Sequence, residues 1–179
     1  MTIAVEKVLY TAKATAHGGR DGKVATDDGK LDVVVVPPAE MGGTGNGTNP
    51  EQLFAVGYAA CFQSALMGVA RGRKLDASNS RITSRVGIGP TGHGGFTLSV
   101  SLDLHAPQLS AAEAAELMAR AHERCPYSNA TRGNIEVQLS VDGVSLETRP
   151  AITSQRNGGA ESSAITTPMG PTTQVAGSD

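Results

Sequence analysis

The sequence holds two cysteines, Cys61 and Cys125, and a cysteine thiolate is among the strongest nucleophiles a protein carries near neutral pH. Cys61 lies in the apolar stretch Tyr58-Ala-Ala-Cys-Phe62, where a thiol can also serve simply as a small hydrophobe that fills the core. To react there it needs a cation. Burial favours the neutral thiol, and a mid-helix position lies too far from a helix N-terminus for the dipole to lower its pKa. Moving a thiol from ~8.5 to ~5.5 represents about 4 kcal/mol of preference for the thiolate, which a partly desolvated arginine can supply. Arginine is the better cation for a dry site, because lysine can shed its proton under burial.

Arg20, in Gly18-Gly19-Arg20-Asp21-Gly22, is a candidate for that cation, since the flanking glycines let the backbone approach another element closely. Local sequence alone also allows a solvated turn arginine. Glu51 falls in the first turn of a helix, where the dipole favours a carboxylate, and it can orient Arg20 through a bidentate ion pair. Ten residues separate Glu51 from Cys61, ~15 Å along a straight helix, so the two cannot act on one another directly. Either Arg20 bridges them or they belong to different sites. A dimer in which Arg20 and Glu51 of one chain complete the site around Cys61 of the other satisfies this geometry. Cys125 stands at the end of a second helix, where the dipole disfavours a thiolate, which makes it the better resolving partner. A disulfide between cysteines 64 positions apart requires the fold to bring their Cα atoms within ~7 Å.

Other constellations are poorer in chemistry. His122-x-x-Cys125 is half of a metal motif with no second half, and His17, His93 and His105 are scattered, so no metal is expected. The glycine-rich run 42–47 lacks the endings that cradle phosphates and reads as a flexible loop. Cys61 with His122 could form an acyl-transfer pair, although no orienting carboxylate accompanies them.

The elements that must position these residues follow from periodicity. Val8, Tyr10, Ala12 and Ala14 share one face of a predicted strand, and Asp21-Gly22 and Asp28-Gly29 favour hairpin turns. The β-branched run 31–36 ends at Pro37-Pro38, giving a three-stranded meander. Asn49 can cap a helix with Pro50 in its first position; from 53–70 this helix carries no charge before its end and is expected to be buried on all sides. Eighteen such residues with Gln63 and Ser64 inside are marginal for a membrane span. A strand near 81–88 precedes the strict alternation Phe96, Leu98, Val100, Leu102, Leu104 of a half-buried antiparallel strand. Ser110 and Glu113 form a capping box, Cys125-Pro126 interrupts the helix it opens, and Ile135, Val137, Leu139 and Val141 alternate as a last strand.

The expected class is α+β, with two small antiparallel sheets around a long buried helix, and a helix this apolar suggests a homodimer sharing the core. Residues 1–145 are expected to form one domain. Residues 146–179 read as a disordered tail, being rich in Gly, Pro, Ser and Thr and free of aromatics. A net charge of −2 with only 3% aromatic content argues against nucleic acid. Glu6, Lys7 and Lys13 break any secretory or membrane-spanning run at the N-terminus, so the expected compartment is the cytoplasm, where cysteines stay reduced.

Five spaced blocks, Tyr10-Thr-Ala-x-Ala-Thr15, Gly18-Gly-Arg-Asp-Gly22, Gly47-Thr-Asn-Pro-Glu-Gln-Leu-Phe54, Gly57-Tyr-Ala-Ala-Cys-Phe62 and Cys125-Pro-Tyr-Ser-Asn-Ala-Thr-Arg-Gly-Asn134, together resemble the organic hydroperoxide resistance branch of the Ohr/OsmC family. The resemblance covers residues 8–141. It implies an intertwined α+β homodimer and a peroxidase that works without bound metal or flavin. Cys61 would be the peroxidatic thiol, Cys125 the resolving thiol, and Arg20 with Glu51 would position and activate the thiolate. The resemblance further implies organic hydroperoxides as substrates, and dihydrolipoamide or a lipoylated protein as reductant. The tail after about Ser145 has no counterpart in the family pattern.

Overall fold

Turn chemistry organises the first sheet of the computed structural model, which describes residues 4–146. Strands β1 (Ala14–His17), β2 (Gly22–Thr26) and β3 (Asp32–Val35) form the expected antiparallel meander. Between β1 and β2 the chain turns through Gly18 and Gly19, both at positive φ, and Asp21 N–H bonds to Gly18 O at 3.2 Å. A Cβ at Gly22 would strike the His17 carbonyl oxygen, so the glycine is required by this close approach. Arg20 is thereby held at the tip. The first strand begins later than its alternation suggests. Val8 and Tyr10 lie outside any strand and are 67% and 80% exposed, because no neighbouring strand or core surface of this chain reaches them.

The segment after β3 is tightly bonded rather than loose. Gly43 and Gly45 N–H groups donate to the Pro38 and Pro37 carbonyls, and a Cβ at Gly43 would strike Pro37 O. These amides are therefore committed and cannot cradle a phosphate. Thr48 returns beside β3, donating to Val34 O and accepting from Val36 N–H, so the meander is stitched to the start of the long helix.

Helix α1 (Pro50–Gly72) begins as its sequence indicates, with Asn49 Oδ1 accepting from Gln52 N–H at 2.9 Å and Pro50 in the first turn. It packs on the second sheet and on α2 (Ala111–Arg124). Within one chain its burial is one-sided. Only Tyr58, Phe62, Leu66, Val69 and Ala70 are fully buried, a single stripe at three- and four-residue spacing, whereas Val56 is 71% exposed. One four-stranded sheet and the helices that follow α1 in the chain cover only one side of the cylinder. By length and composition α1 also meets the threshold for crossing a membrane.

The second sheet comprises β4 (Arg81–Pro90), β5 (Phe96–His105), β6 (Val137–Val141) and β7 (Val144–Ser145), in that spatial order. It is mixed, not antiparallel throughout: β6 runs parallel to β5, because α2 and α3 (Pro126–Thr131) form a crossover that returns the chain to the same end of the sheet. Alternation in β5 buries Val100, Leu102 and Leu104 against the helices. The Ser110–Glu113 capping box opens α2 as expected, and Ala114, Leu117, Met118 and Ala121 are buried beneath it. The expected tail, 146–179, lies outside the described residues apart from Leu146, whose N–H bonds to Leu139 O at 2.8 Å.

Candidate active site

Two paired groups emerge from this framework. The first is the thiol pair. Cys61 is half-buried in the middle of α1, and Cys125 is wholly buried at the break where α2 ends and α3 begins. Pro126 forces that break, since the residue before a proline is driven out of helical geometry. Cys125 accordingly has φ −66° and ψ 125°. The kink turns its side chain onto α1, with Cys125 Sγ 3.5 Å from Cys61 Sγ. Both thiols are free. A disulfide has its sulfurs about 2 Å apart, so a short closing movement would join them.

Burial pushes the Cys61 thiol above its ordinary pKa, and the adjacent Cys125 adds to the effect. One contact opposes this: the Tyr127 backbone N–H bonds to the Cys61 sulfur. Pro126 has no N–H to give, which makes Tyr127 the first amide donor of α3. Within this chain the thiolate is therefore disfavoured, as its apolar surroundings predict.

Aromatic residues surround the pair. The sequence has three Phe, three Tyr and no Trp, and four of these gather here: Phe54, Tyr58, Phe62 and Tyr127. Phe54 and Tyr127 stack at 5.8 Å between centroids, and Tyr58 meets Phe54 edge-on. Gly57 makes room for this wall, as a Cβ there would sit 3.1 Å from the Tyr127 hydroxyl. Scarcity of aromatics in the composition hid this concentration, and only the i, i+4 spacing of Phe54, Tyr58 and Phe62 hints at it.

The second group is Arg20 with Glu51. Arg20 Nη1 and Nη2 donate to Glu51 Oε2 and Oε1 at 3.0 and 2.6 Å, the bidentate arrangement anticipated for them. The guanidinium holds the Glu51 carboxyl below the usual carboxylate range, chiefly through these bonds, and Glu51 in turn raises the Arg20 pKa. Glu51 borders a groove of 650 Å³ lined also by Met41, Ala55, Ser84, Val86 and Ile88. Ser84 Oγ is buried there without a hydrogen-bond partner.

The chain thus brings its four candidate residues together two by two. No described hydrogen bond or ion pair links Arg20 or Glu51 to Cys61, and the helix itself holds Glu51 and Cys61 about 15 Å apart. No described hydrogen bond joins His122 to Cys61; its Nδ1 lies 3.0 Å from Ser128 Oγ instead. Among the described residues, no cluster of three or more His, Cys, Asp or Glu side chains could hold a metal ion.

The fold is α+β, with a thiol from a long helix facing a thiol from a helix break beside a small mixed sheet. The model of the OsmC-like protein family matches residues 43–140, and the chain belongs to that family, in its organic hydroperoxide resistance branch. It is 52% identical over 138 residues to an organic hydroperoxide resistance protein of Xanthomonas axonopodis pv. citri, covering 76% of this chain and 96% of that one. It is 47% identical over 135 residues to the protein OhrB of Bacillus subtilis, covering 74% and 98%. Among solved structures, an organic hydroperoxide resistance protein of Vibrio cholerae with captopril in one of its active sites superposes with a TM-score of 0.75 at 52% identity, covering 79% of this chain and 97% of that one. OhrB of Bacillus subtilis superposes with a TM-score of 0.69, covering 75% and 99%. The resemblance drawn from the five sequence blocks is borne out at the level of family and fold.

Proposed function

We propose that this protein is a cytoplasmic thiol peroxidase that reduces organic hydroperoxides to alcohols. The observation that carries the reading is the 3.5 Å approach of Cys61 Sγ to Cys125 Sγ inside an aromatic wall. A Cys61 thiolate attacks the distal peroxide oxygen, the O–O bond breaks, and the alkoxide takes up a proton to leave as alcohol. Cys61 is then a sulfenic acid. The Cys125 sulfur attacks it, and the sulfenic hydroxyl departs with the Cys125 proton as water. Cys61–Cys125 disulfide remains, and dihydrolipoamide or a lipoylated protein restores both thiols by exchange. Phe54, Tyr58, Phe62 and Tyr127 suit an organic peroxide better than hydrogen peroxide, because they give an apolar group something to pack on.

Arg20 supplies the cation that a buried thiolate requires, and Glu51 aims it. In our reading the two pairs meet in a homodimer, with Arg20 and Glu51 of one protomer beside Cys61 of its partner. The uncovered face of α1 and the exposed Val8, Leu9 and Tyr10 support this, being apolar surface that a second copy would bury.

Steady-state turnover tests the reading, using cumene hydroperoxide against hydrogen peroxide and dihydrolipoamide against thioredoxin. We expect the organic peroxide with dihydrolipoamide to be fastest, and equal rates with all four combinations would reject it. Mixed dimers of Cys61→Ser and Arg20→Ala chains should regain activity, because one of their two sites keeps all four residues; a site built within one chain predicts none.

A further inference from the structure

The block after Cys125 contains polar residues that the thiol chemistry leaves unused. Three residues before Cys125 stands His122, and three after it stands Ser128. They meet across the helix break, with His122 Nδ1 3.0 Å from Ser128 Oγ, and Cys125 lies at the apex between them. Arg132 fastens the same break from the far end of α3, donating to the His122 carbonyl at 2.6 Å and to Asn129 Oδ1 at 2.9 Å.

The staple is tied to the other cysteine as well. Tyr58, three residues before Cys61 on α1, places its hydroxyl 2.9 Å from Ser128 Oγ and 3.3 Å from Thr131 Oγ1. Tyr58 and Ser128 are completely buried, and Thr131 is 7% exposed. Thr131 also has backbone carbonyls to bond, but the buried Tyr58 and Ser128 hydroxyls depend on this group for partners, so the arrangement is held by the cost of leaving either unpaired. Thr131 donates to the Tyr127 carbonyl at 2.9 Å, so across its longer 3.3 Å contact it can only share the single Tyr58 proton. Burial and the neighbouring Arg132 charge lower the His122 pKa, which favours a neutral ring able to accept from Ser128 while Tyr58 donates to Ser128.

We propose that His122, Ser128 and Tyr58 are positioning residues for the resolving thiol, forming a buried hydrogen-bonded staple that holds the Cys125 kink against the turn of α1 that carries Cys61. The inference rests on the Cys61–Cys125 chemistry proposed above. Its signature is selective: the staple sets the effective concentration of Cys125 at Cys61 and leaves the first attack on peroxide alone, since that attack does not use Cys125.

Equilibrating the full-length protein with dithiothreitol redox buffers isolates this quantity without peroxide. Both thiol hydrogens pass to oxidised dithiothreitol as the Cys61–Cys125 disulfide forms, and alkylation with intact mass reads the fraction closed. Tyr58→Phe keeps the ring and removes the hydroxyl, and His122→Leu removes the acceptor. Each is expected to lower the closure constant about tenfold, equivalent to about 30 mV for this two-electron couple. His122→Asn, whose amide can occupy the Nδ1 position, should stay within about threefold of the parent, a rescue that general loss of packing would not produce. In the peroxide arm, Cys61 sulfenate should form in His122→Leu within about twofold of the parental rate and survive about tenfold longer before it closes. Closure as tight as the parent's in both Tyr58→Phe and His122→Leu would overturn the staple. An equal loss in His122→Asn and His122→Leu would also overturn it. A parent that closes normally with dithiothreitol but leaves cumene hydroperoxide unconsumed would defeat the peroxidase reading instead, and the staple would still be judged by the closure constants.

Discussion

The thiol pair and the Arg20–Glu51 pair are built by opposite means. Cys61 and Cys125 belong to the core: one sits on the central helix, the other on a proline-forced kink, and both adjoin buried aromatic and aliphatic side chains. Arg20 sits at the tip of a two-strand turn whose first strand is exposed along its whole length, and Glu51 occupies the first turn of α1. A single chain therefore completes the thiol pair and only prepares the cation pair. Apolar burial brings the sulfurs together at the cost of the thiolate, and in the proposed homodimer the charge that offsets this cost comes from the partner.

Substitutions sharpen that contrast. Leu66→Ala, in the wholly buried stripe of α1, should cost about 2–5 kcal/mol of stability by transfer and cavity terms, measured by urea unfolding. Arg20→Ala should alter stability by less than about 0.5 kcal/mol in the same experiment, as for other exposed positions. A comparable loss from both would break the distinction between core and surface.

Activity should respond in the reverse sense. If Arg20 is the cation that offsets burial, Arg20→Ala lets the Cys61 pKa return to its burial-raised position and the thiolate fraction at pH 7 falls. A thiol that returns from ~5.5 to ~8.5 is about 3% thiolate at pH 7, which corresponds to about thirtyfold slower attack on cumene hydroperoxide. The deficit should shrink as pH is raised through the variant's pKa, where both proteins become thiolate. A deficit that stays constant to high pH would mean that Arg20 acts on something other than the thiol.

Glu51→Gln keeps the shape but loses the charge that holds the guanidinium, and about a tenfold decrease is expected. Because the carboxyl pKa is lowered in the folded protein, its contribution is present above the ordinary carboxylate pKa and is lost as pH falls through the depressed value. Activity of the parent should therefore fall toward that of Glu51→Gln only in acid, which a pH–rate profile for the two proteins will show.

Local signals were legible along the chain and long-range ones were not. Asn49-Pro50 and the Ser110–Glu113 box mark helix starts because capping is chemistry between near neighbours. Alternation marks β5 for the same reason. The parallel pairing of β6 depends on where a crossover delivers the chain, which no alternation encodes. A uniformly apolar α1 concealed a one-sided burial, since the sequence shows what could be covered and not what covers it. At the site, the ion pair could be anticipated from residue types. The approach of Cys125 to Cys61 across 64 positions was implied by the family resemblance and not by residue types, and neither implied the aromatic wall or the Tyr127 amide at the Cys61 sulfur. Pro126 was the available clue to the last, as a residue that both breaks a helix and withholds its own N–H.

Intact mass after one equivalent of cumene hydroperoxide tests the central claim most directly. The account predicts that the reduced protein loses two hydrogens with both thiols becoming unreactive to iodoacetamide, and that Cys125→Ser instead gains one oxygen that a sulfenate-specific reagent captures. An unchanged mass with two free thiols and unconsumed peroxide would contradict it.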